Sequence, residues 1–364
     1  MKTSRVLAAL AAAFMVAAPA AGAQEITVMT RNVFLGADLN PAINAPGIGE
    51  AINGAGTVWN ELQATKFPER AVPLAREIKA SGADLVGLQE VALWHSQQPS
   101  DGGAPPISPI AGAQPASTVA FDFLALLQAQ LGSSYKVVVV QKEFQAELPV
   151  NADGNTATGA GPLAGFGADL DARLTMRDVI LVRRGSKVKL GKTRKGHFKT
   201  RYEPSVGGLK IPVDRGWVSV EARLGKRSFR FVNTHLEAFG DPKIRAAQAK
   251  ELLAGPLKTK AQVILVGDLN SGIGRHNQPE KPGDDLAFKA LKGFKDNGAR
   301  QSCCYSSLTD PAAKLDHTVD HVLTKPGLKT VRARVTGNDP AARTPSGLWP
   351  SDHGGVISRL RLRG

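Results

Sequence analysis

The chain has 364 residues, with 46 Lys and Arg against 32 Asp and Glu, and its formal net charge is +14. The hydrophobic fraction of 42% is ordinary for a globular protein and excludes a disordered or fibrous chain. The excess of positive charge indicates an anionic partner, which is a nucleic acid, an anionic membrane surface or a phosphorylated small molecule. Length alone, at about 150 residues per domain, predicts two domains.

The first 23 residues have the pattern of a secretory signal peptide. Lys2 and Arg5 form a basic start, residues 6–18 are apolar, and Ala21-Gly22-Ala23 supplies the small-x-small cleavage pattern. The apolar stretch is short for a membrane span, and no later segment reaches the roughly 18 apolar residues of one. We therefore expect an exported protein, secreted or periplasmic, without a transmembrane segment. Loss of Lys2 and Arg5 lowers the net charge from +14 to +12; an uncleaved membrane anchor is the alternative.

The rest of the chain alternates apolar runs with turn residues. We predict strands and helices, in chain order, as strand 26–30, helix 67–80, strand 84–88, helix 120–131, strands 136–141, 178–183, 187–192, 217–223 and 228–234, helix 242–254, and strands 261–266, 319–323, 329–335 and 355–362. Stretches rich in Gly, Ala, Pro and Ser near 96–118 and 150–170 predict flexible loops. Many strands with few helices predict a mixed α/β protein rather than a simple βαβ winding.

The two cysteines, Cys303 and Cys304, are adjacent in the sequence. Neighbouring α-carbons lie about 3.8 Å apart, which is below the usual disulfide spacing, so a bond between them would be strained. A redox or metal-binding role and a local structural feature of a loop are both open. The structural role is favoured, because no further Cys is available to complete a thiolate cluster.

Acidic, amide and imidazole side chains recur where the apolar runs end or are interrupted: Asn32, Glu90, His235, Asp268, Asn270, Asp320, Asp352 and His353. Solvent exposure at strand ends explains any one of them. Their recurrence along most of the chain favours a site for a divalent cation and a phosphate, since Mg²⁺ prefers carboxylate and amide oxygens. Phosphodiester hydrolysis also needs a base that orients water and a cationic group opposite the developing charge.

Six short segments resemble, in order, those of the endonuclease/exonuclease/phosphatase superfamily: Thr30-Arg31-Asn32, Leu88-Gln89-Glu90-Val91, Asn233-Thr234-His235-Leu236, Gly267-Asp268-Leu269-Asn270, Val319-Asp320-His321-Val322 and Ser351-Asp352-His353. This superfamily includes pancreatic-type deoxyribonuclease, exonuclease III, bacterial sphingomyelinases and inositol polyphosphate 5-phosphatases. The resemblance implies one domain over residues 24–364, in place of two. It also implies an α/β (α+β) fold, a four-layered sandwich in which two mixed β-sheets pack face to face between helices.

The resemblance implies a metal site built on three residues. Glu90 resembles the principal metal-binding glutamate of the family, and Asn32 supports the same site. Asp352 would lie close to the ion, directly or through water. The expected cofactor is a divalent cation, Mg²⁺ first, with Mn²⁺ and Ca²⁺ as alternatives.

The resemblance also implies roles for five catalytic residues. His353 resembles the histidine that contacts the scissile phosphate, and Asp320 the carboxylate that holds this histidine in register. Asp268 resembles the residue that orients or deprotonates the attacking water, and Asn270 would help to bind the phosphate. His235 matches a second histidine of the deoxyribonuclease and sphingomyelinase branches, which acts on the phosphate or the leaving group.

Two features are less well defined by the resemblance. Arg177 lies where some relatives place a phosphate-binding arginine, and a surface arginine is the alternative. The fifth segment offers two Asp-His pairs, Asp316-His317 and Asp320-His321. The strand context selects Asp320, and His317 and His321 have no family role.

The substrate follows less directly from the sequence. Residues 183–201 contain nine Lys or Arg and no Asp or Glu, which suits a polyanion or a solvated β-hairpin. We expect a monomeric phosphodiesterase, most specifically an endonuclease acting on DNA or RNA. A sphingomyelinase of the phospholipase C type and an inositol-phosphate phosphatase are alternatives within the family, although no Trp or Tyr cluster for membrane entry is evident. A noncatalytic binding protein is the alternative of another class.

Overall fold

The computed structural model describes residues 24–103, 110, 112–274 and 281–363, so the predicted signal peptide lies outside the described residues. The strands within these ranges are β1 (Glu25–Asn32), β2 (Leu85–Gln89), β3 (Leu93–Gln97), β4 (Thr118–Asp122), β5 (Tyr135–Val150), β6 (Leu170–Arg183), β7 (Val188–His197), β8 (Ser205–Val206), β9 (Leu209–Lys210), β10 (Gly216–Leu224), β11 (Arg227–His235), β12 (Gln262–Ile273), β13 (Lys295–Asp296), β14 (Thr318–Lys325), β15 (Lys329–Thr336) and β16 (Gly355–Arg361). The α-helices are α1 (Asn40–Ile43), α2 (Ile48–Ala64), α3 (Phe67–Ser81), α4 (Phe123–Leu131), α5 (Pro242–Ala254) and α6 (Leu286–Ala290). Short 3₁₀ turns cover Gly132–Ser134, Gly161–Phe166 and Pro340–Ala342. None of the helices in these ranges has the length and apolar character needed to cross a membrane.

The strands form two large mixed sheets. The first has the order β15-β16-β1-β2-β6-β3-β4, with β5 also paired to β6. The second has the order β13-β14-β12-β11-β10-β7, and β8 and β9 form a separate two-stranded ribbon. One parallel pair lies at the centre of each large sheet, β1 with β2 and β11 with β12.

Apolar clusters show how the layers stack. The inner faces of the two sheets share a buried cluster that includes Ile26, Val28, Phe229, Phe231 and Val266. The outer face of the first sheet packs on α2, α3 and α4, and the outer face of the second sheet packs on α5 and α6. Because each sheet buries both faces, its central strands are almost uniformly apolar. The predicted four-layered α/β sandwich is therefore confirmed.

A polar bridge crosses the apolar layer between the sheets. Gln89 at the end of β2 donates its amide to the Asn233 side chain on β11. The Asn233 amide in turn donates to the Leu88 carbonyl oxygen at 2.9 Å. Both side chains are fully buried, so these bonds align one sheet on the other.

The predicted elements recur in the structure, but β3 and β4 were not predicted, and β4 occupies the first three residues of the predicted helix 120–131. Two further differences are larger. Strand β5 has 16 residues and is much longer than the predicted strand 136–141. The 17-residue helix α2 was not predicted, because its glycines lower the intrinsic helix propensity. Close packing explains why glycines occur in this helix. A Cβ on Gly54 would lie 2.1 Å from the Pro41 carbonyl oxygen, and a Cβ on Gly56 would lie 1.9 Å from the Asn151 carbonyl oxygen.

Candidate functional site

Strand ends from both sheets meet at one edge of the sandwich. In the first sheet, Asn32 ends β1 beside Gln89 of β2, and Glu90 follows directly. In the second sheet, Asp268 lies between His235 and Asp320 on the neighbouring strands. The Asn32 amide spans the gap between the sheets and donates to Asp268 Oδ2 at 3.1 Å.

Glu90 is held firmly in this cleft. Its Oε1 accepts from Asn32 Nδ2 at 2.9 Å, and its Oε2 accepts from the backbone N–H of Leu35 at 2.8 Å. Its φ of 58° lies in the left-handed region that residues other than Gly rarely adopt. Such a backbone conformation persists only where the surrounding structure fixes it, as is common at functional sites.

The surroundings of Glu90 fit a hard cation. Glu90 and Asp352 line one cavity of about 530 Å³, together with Asp38 and Glu61. Burial, and then the charge of Asp352, raise the pKa of Glu90. Crowded carboxylates of this kind are relieved by a divalent cation, and their oxygens are the ligands that Mg²⁺ prefers. Glu90 and Asp352 could hold the ion, while the amide nitrogen of Asn32 orients Glu90.

A second group of side chains surrounds His353. Asp320 accepts a hydrogen bond from His353 Nδ1 at 2.9 Å and a second one from Ser302 Oγ at 2.7 Å. His353 Nε2 lies 3.7 Å from Asp268 Oδ2. Burial lowers the pKa of His353, but Asp320, Asp352 and Asp268 outweigh it and leave the pKa well above its usual value. A protonated imidazole is therefore aimed into the cleft.

Asp268 lies at the centre of the cleft. Burial raises its pKa to about 7, although the charge of His353 acts in the opposite direction. Side-chain atoms of Asp268, Glu90 and His235 that could bind a metal lie within 4.8 Å of one another. Such atoms of Asp268, Asp320 and His353 form a second group within the same distance. A carboxyl group with a pKa near neutrality is suited to accept a proton from water.

The Asp268-Leu269-Asn270 turn depends on its backbone. A Cβ on Gly267, the residue before Asp268, would lie 2.0 Å from the Thr234 carbonyl oxygen. The backbone N–H of Asn270 donates to Asp268 Oδ1 at 2.8 Å, and Asn270 has a φ of 45°. Its amide nitrogen donates to the Leu236 carbonyl oxygen at 2.9 Å and lies 3.1 Å from His235 Nε2.

An arginine that sequence reasoning missed sets the state of His235. Arg215 Nη1 lies 3.1 Å from His235 Nδ1, and because a guanidinium can only donate, Nδ1 accepts. Burial, and then the charge of Arg215, hold the pKa of His235 well below its usual value. The ring is therefore neutral, and its Nε2 lies 3.6 Å from Asp268 Oδ2 and 3.8 Å from Glu90 Oε1. The buried Glu237 balances the charge of Arg215 at 3.4 Å.

Arg177 binds outside this cluster, and its expected phosphate-binding role stays a prediction. Its Nε and Nη2 donate to the carbonyl oxygens of Val91 and Ala92 at 2.8 and 3.0 Å. Nη2 also pairs with Asp122 at 2.6 Å. The side chain is buried and its donors bind the protein itself, so Arg177 fixes the segment that follows Glu90.

Two buried arginines support the loops that carry the site. Arg31 donates to the His353 carbonyl oxygen and pairs with Glu77 at 3.1 Å. Arg70, on α3, donates to four backbone carbonyl oxygens in the loops after β1, before α3 and before Asp352. Neither arginine was assigned a role from the sequence.

The contacts of the two cysteines, and of the two histidines without a family role, are also defined by the structure. Cys303 and Cys304 form a disulfide, and their sulfurs lie 3.6 and 3.7 Å from His353 Nε2. His321 is buried. Its Nδ1 lies 3.2 Å from Asp296 Oδ2 and its Nε2 lies 3.0 Å from the Ser271 carbonyl oxygen, which indicates a structural role. His317 contacts its neighbour Asp316.

Comparisons with known proteins bear on the family and the fold of this chain. The sequence profile of the Endonuclease/Exonuclease/phosphatase family matches residues 52–353, which include every candidate site residue except Asn32. A family protein from Bacteroides thetaiotaomicron is 15% identical, with 94% of this chain and 99% of that chain covered and a TM-score of 0.53. Humanized D. rerio TDP2 with 14 mutations is 14% identical, with 93% and 99% covered and a TM-score of 0.52. A third structure, the family protein from Beutenbergia cavernae, is 21% identical, with 93% and 72% covered and a TM-score of 0.51.

At these identities the likeness between structures concerns the fold alone, and no curated protein matches the sequence. Enzymes of the matched family are hydrolases that act on phosphoester bonds and use divalent metal ions. The profile match spans most of the chain, and the site contains the acidic and imidazole groups that such chemistry requires. The chain therefore belongs to the endonuclease/exonuclease/phosphatase family of hydrolases.

Proposed function

We propose that the chain is an exported, Mg²⁺-dependent phosphodiesterase in which residues 24–364 act as one domain. The convergence of Glu90, His235, Asp268 and His353 in one cleft carries this proposal. These groups come from both sheets and supply carboxylates, a neutral imidazole and a charged imidazole within reach of one phosphate. A protein that only binds its partner has no need of this combination.

The proposed reaction is an in-line attack of water on a phosphate ester. Glu90 and Asp352 would hold a divalent cation, which would supply positive charge for the phosphate oxygens and the leaving group. Asp268 accepts the proton of the attacking water, for which its pKa of about 7 is suited. His353 and His235 donate hydrogen bonds to oxygens that become more negative in the transition state. Asp320 holds His353 in place, and Arg215 orients His235 and lowers its pKa.

A basic edge strand supports nucleic acid as one candidate substrate. Strand β7 lies at the edge of the second sheet and exposes Lys189, Lys192, Arg194 and Lys195 to different extents. Its C-terminal residue, His197, pairs with Gly216 beside Arg215, so one end of the strand reaches the site. Lys and Arg along such a strand can follow a phosphate backbone, and this binding weakens steeply with salt.

The experiment is a hydrolysis panel with purified protein and Mg²⁺. Plasmid DNA, RNA, sphingomyelin and inositol phosphates are compared, each with and without a chelator. We expect chelator-sensitive cleavage of a phosphodiester, and its loss in Asp268→Asn. The matched control is Asp241→Asn, which changes an aspartate at the N-terminus of α5. Absence of chelator-sensitive turnover on every substrate would refute the proposal and favour a noncatalytic binding protein.

A further inference from the structure

A second cavity, almost entirely apolar, lies next to the proposed active site. Its volume is about 80 Å³, and it is enclosed by α1, α2, the β5–β6 hairpin and residues 204–213. Trp59, Trp94, Phe144, Leu148 and Ile211 are among the side chains that line it. Arg215 is the only charged residue among those described around it. We call this space the apolar cavity.

The apolar cavity and the acidic cavity of the site share part of their walls. Leu39, Met176, Arg215 and Phe239 line both the apolar cavity and the acidic cavity that contains Glu90 and Asp352. The same guanidinium of Arg215 lies 3.1 Å from His235 Nδ1. A group bound in the apolar cavity would therefore lie one side chain away from a phosphate held by His235.

The lining of the apolar cavity favours an apolar occupant over water. The space is large enough for several water molecules, but each water needs two to four polar partners. The guanidinium of Arg215 already binds Glu237 and His235, and Trp94 Nε1 donates to the Leu35 carbonyl oxygen at 3.0 Å. Leu39 and Phe144 remain only partly buried although the walls around them are apolar. An apolar ligand would remove this surface from water.

We propose that the substrate is an amphiphilic phosphodiester and that the apolar cavity holds an apolar chain or ring attached to its phosphate. This inference rests on the proposed phosphodiesterase function and specifies its substrate class. A polynucleotide carries a sugar on both sides of the scissile phosphate, so it presents no such chain to the cavity. Cleavage of plasmid DNA or RNA in the hydrolysis panel, with no effect of apolar chains on synthetic esters, would therefore contradict the proposal.

The test compares two synthetic esters, p-nitrophenyl methyl phosphate and p-nitrophenyl butyl phosphate, in the presence of Mg²⁺. The p-nitrophenyl group is common to both and cancels in the comparison. Burial of each methylene strengthens binding about fourfold, so the three additional methylenes of the butyl ester should raise kcat/KM at least tenfold. Ala146→Phe fills the apolar cavity and should bring the ratio close to one while the methyl ester is still hydrolysed. Ala341→Phe, an exposed position that lines neither cavity, is the matched control and should keep the wild-type ratio.

A binding measurement separates the cavity from the chemistry. Trp59 and Trp94 line the apolar cavity, so 4-bromobutyl phosphate should quench tryptophan emission and methyl phosphate should not. A ratio near one for the wild type, with both esters hydrolysed and no quenching, overturns the inference and leaves the phosphodiesterase function intact. Quenching without hydrolysis of either ester refutes the phosphodiesterase function and retains the cavity as a binding site. If Ala146→Phe no longer hydrolyses the methyl ester, the quenching measurement on the wild type decides whether the apolar cavity binds an apolar chain.

Discussion

Replacing Arg70 with Lys should weaken both the fold and the site, because this arginine joins two loops that carry site residues. Arg70 Nε donates to the Thr65 carbonyl oxygen at 2.8 Å, and Nη1 donates to those of Val33 and Pro350 at 2.9 and 3.0 Å. Nη2 donates to the Phe34 carbonyl oxygen at 3.2 Å. Val33 and Phe34 follow Asn32, and Pro350 lies two residues before Asp352. One guanidinium therefore fixes the distance between the two segments.

The expected magnitude follows from these contacts. Burial lowers the pKa of Arg70 to about 9, so the group remains charged at neutral pH. A lysine keeps the charge, but its donors share one nitrogen and cannot reach four carbonyl oxygens arranged around a planar fork. Loss of two hydrogen bonds from a charged donor corresponds to about 3–6 kcal/mol. At roughly 2 °C per kcal/mol for a chain of this size, the melting temperature should fall by about 6–12 °C.

Thermal unfolding and hydrolysis of p-nitrophenyl methyl phosphate measure the two effects of Arg70→Lys. We expect the fall in melting temperature together with a lower kcat at a temperature where the variant is still folded. Arg76→Lys, an exposed arginine on the same helix, is the matched control and should change stability by less than about 0.5 kcal/mol. Equal melting temperatures and equal kcat for Arg70→Lys and Arg76→Lys would refute the reasoning.

Three further predictions concern individual side chains. His353→Ala and Asp268→Asn should each lower kcat by about 10²-fold or more with unchanged circular dichroism, and near-normal turnover in either variant would contradict the assigned roles. Glu143→Gln should stabilise the protein at pH 8 in urea unfolding, because burial and the charge of Asp178 hold the pKa of Glu143 well above its usual value. A carboxyl group whose pKa is raised in the folded state stabilises fully below its unfolded pKa, and this contribution is lost as the pH rises, at about 1.4 kcal/mol per pKa unit. The gain should therefore shrink toward pH 4, and an equal gain at both pH values would contradict it. Arg177→Lys should lower the melting temperature and leave KM unchanged, whereas a raised KM with unchanged stability would support the phosphate-binding role.

Strand patterns predicted most of the secondary structure, and the family resemblance predicted the fold; the roles of the site residues stay predictions. Asn32, His235, Asp268 and Asp320 lie at or near the ends of apolar runs, and in a two-sheet sandwich those ends converge. The order of six motifs supplied what periodicity cannot, namely the family and with it the two-sheet sandwich. Even the choice of Asp320 over Asp316 agrees with the structure, since Asp320 is the one that binds His353.

The residues that sequence reasoning missed act through distant contacts. Arg215 precedes β10, and its register opposite β11 brings it to His235 over a separation of 20 residues. Arg70 contacts Pro350 across 280 residues. No local pattern marks either of them, because an arginine before a strand or inside a helix is ordinarily a solvated side chain. The apolar cavity likewise arises from seven separate segments and has no signature in any one of them.

The bridge between Gln89 and Asn233 has a consequence for how activity is lost. Apolar layers tolerate sliding, because dispersion and the hydrophobic effect have little direction, whereas paired amides accept one alignment. Half of the candidate site stands on each sheet, so a small shear between the sheets would separate Glu90 from Asp268 without breaking a single strand. Mild denaturant should therefore abolish hydrolysis before it changes the circular dichroism of the backbone, and turnover then reports the docking of two preformed halves.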